Sequence, residues 1–180
     1  PELKEALIKI LSMKARWQAR VLKKAGAGCI IFIDEPYLTS IGSSFVSLNK
    51  EDAVLGLKEM IEAVHKEGAL CGMHCCGNTD WGLLLSTGID ILSFDAYNFY
   101  ESISLYPKEA GEFLNGGGVL AWGIVPNNPE VLKENEGTLA ERLKKGIELL
   151  VKKGIDKEIV LDSMLITPSC GLGLVEEHLV

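Results

Sequence analysis

The sequence predicts an α/β chain built around a parallel sheet. Short apolar runs recur along it, each closed by polar or glycine-containing residues. Segments with helical spacing separate these runs, and that alternation is the mark of βα units. No linker or shift in composition interrupts the pattern, so 1–180 reads as a single domain.

The first helix covers Pro1–Lys24, with Leu7, Ile8, Leu11, Trp17 and Val21 at helical spacing, and stops at Ala25–Gly28. Cys29–Ile33 is the first strand, a run suited to burial on both faces and closed by Asp34, Glu35 and Pro36. A helix over 50–66 follows, with Asn49 as N-cap and Gly68 past its end. Ala69–His74 is the second strand, 79–86 a short helix and Ile89–Phe94 the third strand. Pro107–Leu114 reads as a helix, Gly116–Gly118 as a turn and Gly118–Trp122 as the fourth strand. Those glycines lack the spacing of a phosphate loop and precede a strand. Thr138 and Glu141 make a capping-box pattern that opens a helix to Lys153. Ile159–Leu161 reads as the fifth strand and 162–173 as loop.

Two architectures fit five strands separated by helices. One is an open flavodoxin-type sheet. The other is part of a (β/α)8 barrel, whose full length is about 250 residues. The chain opens on a helix, on Pro1 rather than Met, and runs out just past a strand. A partial barrel with a segment upstream, or a second copy covering its open edges, is therefore expected.

Composition narrows the function. The chain is 47% hydrophobic and 24% charged, which suits a packed core and excludes a disordered chain. A net charge of -7 disfavours nucleic-acid binding through phosphates. No apolar run reaches the ~18 residues of a membrane span, and no signal-peptide pattern opens the chain. Five unevenly placed cysteines do not form a disulfide framework, so a reduced, cytoplasmic setting is expected.

In both architectures function gathers at the C-terminal ends of the strands. Asp34 and Glu35, His74 to Cys76, Asp95, the segment from Trp122 to Pro126, and Cys170 all fall there. Residues two apart on an extended segment share a face, so His74 and Cys76 point one way and Cys75 the other. A His-x-Cys pair with a distant cysteine supplies three ligands suited to zinc, leaving a fourth position open. Cys170, in the Pro168-Ser169-Cys170-Gly171 turn, is the natural third. The competing reading makes His74 and Cys76 structural. Cys29, Cys71 and Cys75 read as packing residues, and His65 and His178 as solvated. Asp34 and Glu35 suit either a substrate amine or a polar loop closure, and Asp95 either a metal neighbour or a strand-end cap.

The segments Ile33-Asp34-Glu35-Pro36, Met73-His74-Cys75-Cys76, Ile91-Leu92-Ser93-Phe94-Asp95 and Pro168-Ser169-Cys170-Gly171-Leu172 stand in an order that resembles one family. It is the catalytic domain of cobalamin-independent methionine synthase, in the superfamily of uroporphyrinogen decarboxylase and the methylcobalamin:coenzyme M methyltransferases. The resemblance spans about residues 28–173. It implies a (β/α)8 barrel of which this chain holds the last five strands. It implies Zn2+ held by His74, Cys76 and Cys170. Asp95 falls where the family places a glutamate near the zinc, as a shorter catalytic acid. Asp34 falls on the acid that holds the amino group of homocysteine, with Glu35 beside it. The implied activity is methyl transfer to a small thiol, homocysteine in methionine synthesis or coenzyme M, from a folate or a methyl-corrinoid protein. A decarboxylase-like enzyme without zinc, or a non-catalytic barrel fragment, are the alternatives.

Overall fold

The computed structural model describes residues 2–26, 28–35, 49–173 and 175–177. Pro1, Pro36 and His178 lie outside the described residues. Helix α1, Glu2–Lys23, leads into strand β1, Ile30–Asp34. Then come α2, Lys50–His65; β2, Leu70–Cys75; α3, Trp81–Leu85; and β3, Ile91–Phe94. A short α4, Ala96–Phe99, and α5, Pro107–Asn115, lead to β4, Val119–Val125. The chain continues through α6, Glu136–Lys152, and α7, Lys157–Asp162, into β5, Met164–Pro168.

Among the described residues all four strand pairings are parallel, in the order β1-β2-β3-β4-β5. A flavodoxin-type sheet reverses its strand order to carry helices on both faces. This order does not reverse. The main apolar cluster is likewise one-sided, although β3 and the middle of β4 are buried on both faces. Ile31, Cys71, Met73, Cys75, Leu92, Phe94, Leu120, Trp122 and Ile124 alternate along their strands and share one cluster with residues of the helices. Phe94 sits between two indoles, with ring centroids 5.6 Å from Trp81 and 5.2 Å from Trp122.

The residues between them face the other way. Ile30, Phe32, Leu70 and Leu165 lie on that second face and are each close to half exposed. Sequence reading had both faces of the first strand buried. In the structure β1 is an outer strand, and only the helix-facing residues are covered. Glu67 clamps α1 to the α2 end, accepting from Arg16 Nε at 2.9 Å and Arg20 Nε at 2.8 Å.

Two further expectations are corrected. Residues 159–161 are helical, inside α7, and the fifth strand is Met164–Pro168 within the expected loop. Asp156 is the reason: its side chain accepts from the backbone N–H of Glu158 and Ile159, so the apolar run Ile159–Leu161 starts on a helix cap. Its amphipathic role is visible in Val160, which is buried while Leu161 is exposed. The α6 capping box is Asn135 with Thr138, not Thr138 with Glu141. Asn135 Oδ1 accepts from Thr138 N at 3.1 Å, and Thr138 Oγ1 accepts from Asn135 N at 3.0 Å.

Candidate metal centre

Four of the five strands bring chemistry to one rim. Asp34 ends β1, His74 and Cys76 close β2, Asp95 follows β3 and Cys170 follows β5. All lie at the C-terminal ends of parallel strands, so topology alone gathers them.

A His74 ring nitrogen, Cys76 Sγ and Cys170 Sγ lie within 4.8 Å of one another. Strand pairing sets His74 opposite Asp34 on one side and Ser93 on the other. His74 Nδ1 is 2.9 Å from Ser93 Oγ, which leaves Nε2 as the nitrogen available to a ligand. Nε2 is buried and has no hydrogen-bond partner among the described residues. Burial lowers the His74 pKa below its usual value, against the opposing pull of the Asp34 and Asp95 charges. Burial thus favours the neutral ring, the form that a metal ligand takes.

Cys76 is exposed and Cys170 half-buried. Burial of the Cys76 thiol, then the adjacent Cys170, push its pKa up. Cys75 is fully buried on the helix-facing side, and its Sγ points at Gly77 O at 3.5 Å. Cys71 is likewise fully buried, its pKa pushed up to about 12 by burial and then by the Asp90 charge. Cys29 is in the same core. Along β2 and its end, the division of the cysteines into packing and rim groups follows strand alternation.

Cys170 is held by a different device. Ser169 N donates to Val125 O at 2.8 Å, and Ser169 Oγ donates to Asn127 Oδ1 at 3.1 Å. Asn127 Nδ2 donates to Gly171 O at 3.2 Å. This close approach needs Gly123. A Cβ there would stand 2.5 Å from Phe94 O, 2.8 Å from Ser169 Cα and 2.9 Å from Pro168 O. The β4–β5 register shifts at the same point, between Gly123 and Val125.

The remaining acids are less alike. Asp95 is buried and caps α4: Asn98 N donates to its Oδ1 at 3.0 Å, and Asn98 Nδ2 to its Oδ2 at 2.7 Å. It acts as the strand-end cap that the sequence allowed, and its charge is felt at both His74 and Cys76. Asp34 is exposed, and Glu35 N donates to His74 O at 2.9 Å. His65, expected to be solvated, is exposed but lies with Nε2 2.7 Å from Asp90 Oδ2, which also accepts from Cys71 N.

The donor set fits zinc. Two thiols and an imidazole match its softness, and the partnerless Nε2 is the nitrogen such an ion would engage. Tetrahedral bonds of about 2.0–2.3 Å put ligand atoms roughly 3.5–3.8 Å apart, so from within 4.8 Å no pair need close by more than about 1.3 Å.

Ser93, Asn127 and Gly123 were not singled out from sequence. Ser93 carried a signal, as the one polar residue in Ile91-Leu92-Ser93-Phe94. Asn127 and Gly123 carried none, because their roles depend on where β5 runs. No protein-family model matches the sequence, and no curated protein matches it.

Proposed function

We propose that the chain is a zinc-dependent methyltransferase that moves a methyl group onto a small thiol. The observation that carries this reading is the convergence of His74, Cys76 and Cys170 at the C-terminal rim, with His74 Nε2 buried and unpartnered. The resemblance of the surrounding segments to cobalamin-independent methionine synthase supplies the chemistry, and homocysteine as the acceptor.

His74, Cys76 and Cys170 would hold the metal through three bonds and leave one position for the thiol. Zinc in such a site supplies a deprotonated, nucleophilic sulfur at neutral pH, where a free thiol with pKa near 8.5 is mostly protonated. His74 contributes as a neutral ligand, kept so by burial. Asp95, fixed by two bonds from Asn98, contributes a stationary negative charge beside the ligands. Asp34, exposed on the strand next to His74, would receive the ammonium group of an amino-acid thiol, with Glu35 following it. The methyl donor would be a folate or a methyl-corrinoid protein. No side chain of the chain needs to carry the methyl group covalently.

The fold belongs to the same proposal. The unreversed strand order and the one-sided helix layer support a (β/α)8 barrel wall. The half-exposed Ile30, Phe32, Leu70 and Leu165 would then line the barrel interior, closed by further βα units or by a second copy.

The test is product formation. Zinc-loaded protein given homocysteine and either methyltetrahydrofolate or methylcobalamin forms methionine, read by mass spectrometry, and Cys76→Ser removes the activity. Methionine formed equally fast by Cys76→Ser protein would overturn the reading.

A further inference from the structure

A serine hydroxyl on β3 is out of character with its strand. All four residues Ile91, Leu92, Ser93 and Phe94 are buried, and the three others are apolar. A buried hydroxyl is tolerated when it is hydrogen-bonded. The partner of Ser93 is His74 Nδ1, at 2.9 Å across the β2–β3 pairing.

The metal role of the other ring nitrogen sets which way this bond runs. A neutral imidazole carries its proton on one nitrogen only. Placed on Nε2, the proton would fill the lone pair that a metal needs, and it would meet no acceptor among the described residues. Placed on Nδ1, it is donated to Ser93 Oγ, and Nε2 keeps a free lone pair. Nε2 is then the atom left for the cluster with the two sulfurs. A second partner of this kind fixes both the tautomer and the angle of a metal-binding ring.

We propose that Ser93 is a positioning residue of the metal centre, which accepts the Nδ1 proton of His74 and so presents Nε2 as a ligand. The proposal rests on the metal reading of the site. Ser93 touches neither metal nor substrate, and it acts through the imidazole. Its effect is felt first in the metal-free chain, where the ring is ordered before any ion arrives. A threonine keeps the hydroxyl, whereas an alanine removes it and frees the ring to rotate or to exchange tautomers.

The full chain contains three histidines, so the His74 ring can be assigned in nitrogen–proton correlation spectra with His65→Gln and His178→Gln variants. Metal-free wild-type protein is expected to show His74 as the Nδ1–H tautomer. Ser93→Ala is expected to give a tautomer mixture, and Ser93→Thr the wild-type pattern. In competition with a chromophoric chelator, Ser93→Ala should bind zinc roughly 10–100-fold more weakly, with Ser93→Thr close to wild type. A wild-type His74 protonated on Nε2, or an alanine variant that binds zinc as tightly as wild type, overturns the role of Ser93 alone. Wild-type protein that takes up no zinc defeats the metal reading itself, and this role with it.

Discussion

Adjacent cysteines on opposite faces of one strand end give a sharp mutational contrast. Cys76→Ser removes a rim thiol, whereas Cys75→Ser changes a fully buried one. Cys76 is exposed, so its replacement should leave metal-free stability within about 0.5 kcal/mol. Zinc affinity should fall by more than about 100-fold, beyond the loss expected for an outer partner of a ligand. Cys75→Ser places a hydroxyl among Met73, Phe94 and the helix layer. Gly77 O, 3.5 Å from the native sulfur, offers it one acceptor. A cost of about 1–2 kcal/mol follows from burying a partly satisfied hydroxyl. For a chain of this size that lowers Tm by roughly 2–8 °C. Zinc affinity should stay near wild type. Differential scanning calorimetry of the metal-free proteins and chelator competition read the two quantities separately. Equal zinc loss in both variants would refute the division of the β2 end into a core face and a metal face.

Two further outcomes test the scaffold. Gly123→Ala should destabilise by roughly 1–3 kcal/mol and also weaken zinc binding, because its Cβ meets backbone atoms of β3 and of the β5 end that carries Cys170; unchanged zinc affinity in a folded variant would show that the close approach does not position the loop. The arginines beside Glu67 depress its carboxyl pKa to about 2 from 4.5, through hydrogen bonds from Arg20 and then Arg16. A depressed carboxyl stabilises above its unfolded pKa and loses that contribution as pH falls through its folded pKa. The Tm gap between wild type and Glu67→Gln should therefore be full above pH 5 and close between about pH 4.5 and 2. A gap that widens toward low pH would contradict the clamp.

Most of the sheet was legible because its signals are local. Apolar runs separated by helical periodicity placed four of the five strands, and alternation sorted Cys75 from Cys76. The fifth strand was misplaced because Ile159-Val160-Leu161 and Met164-Leu165-Ile166 are both short apolar runs. Their difference lies in Asp156, whose cap starts a helix on the first and leaves the second extended. The rim was legible through residue type, since histidine, cysteine and aspartate stand out at strand ends. Its supports were not. Ser93 depends on strand register, Asn127 on where the Cys170 loop returns, and Gly123 on a backbone approach between β3, β4 and the end of β5. None of these leaves a pattern along one stretch of chain.

X-ray absorption at the zinc edge, with and without homocysteine, tests the central claim most directly. The zinc-loaded protein should show two sulfur ligands at about 2.3 Å with nitrogen or oxygen at about 2.0–2.1 Å. Homocysteine should raise the count to three sulfurs, with Cys76→Ser lowering it. A zinc bound only by nitrogen and oxygen, or a sulfur count that homocysteine leaves unchanged, would contradict the account.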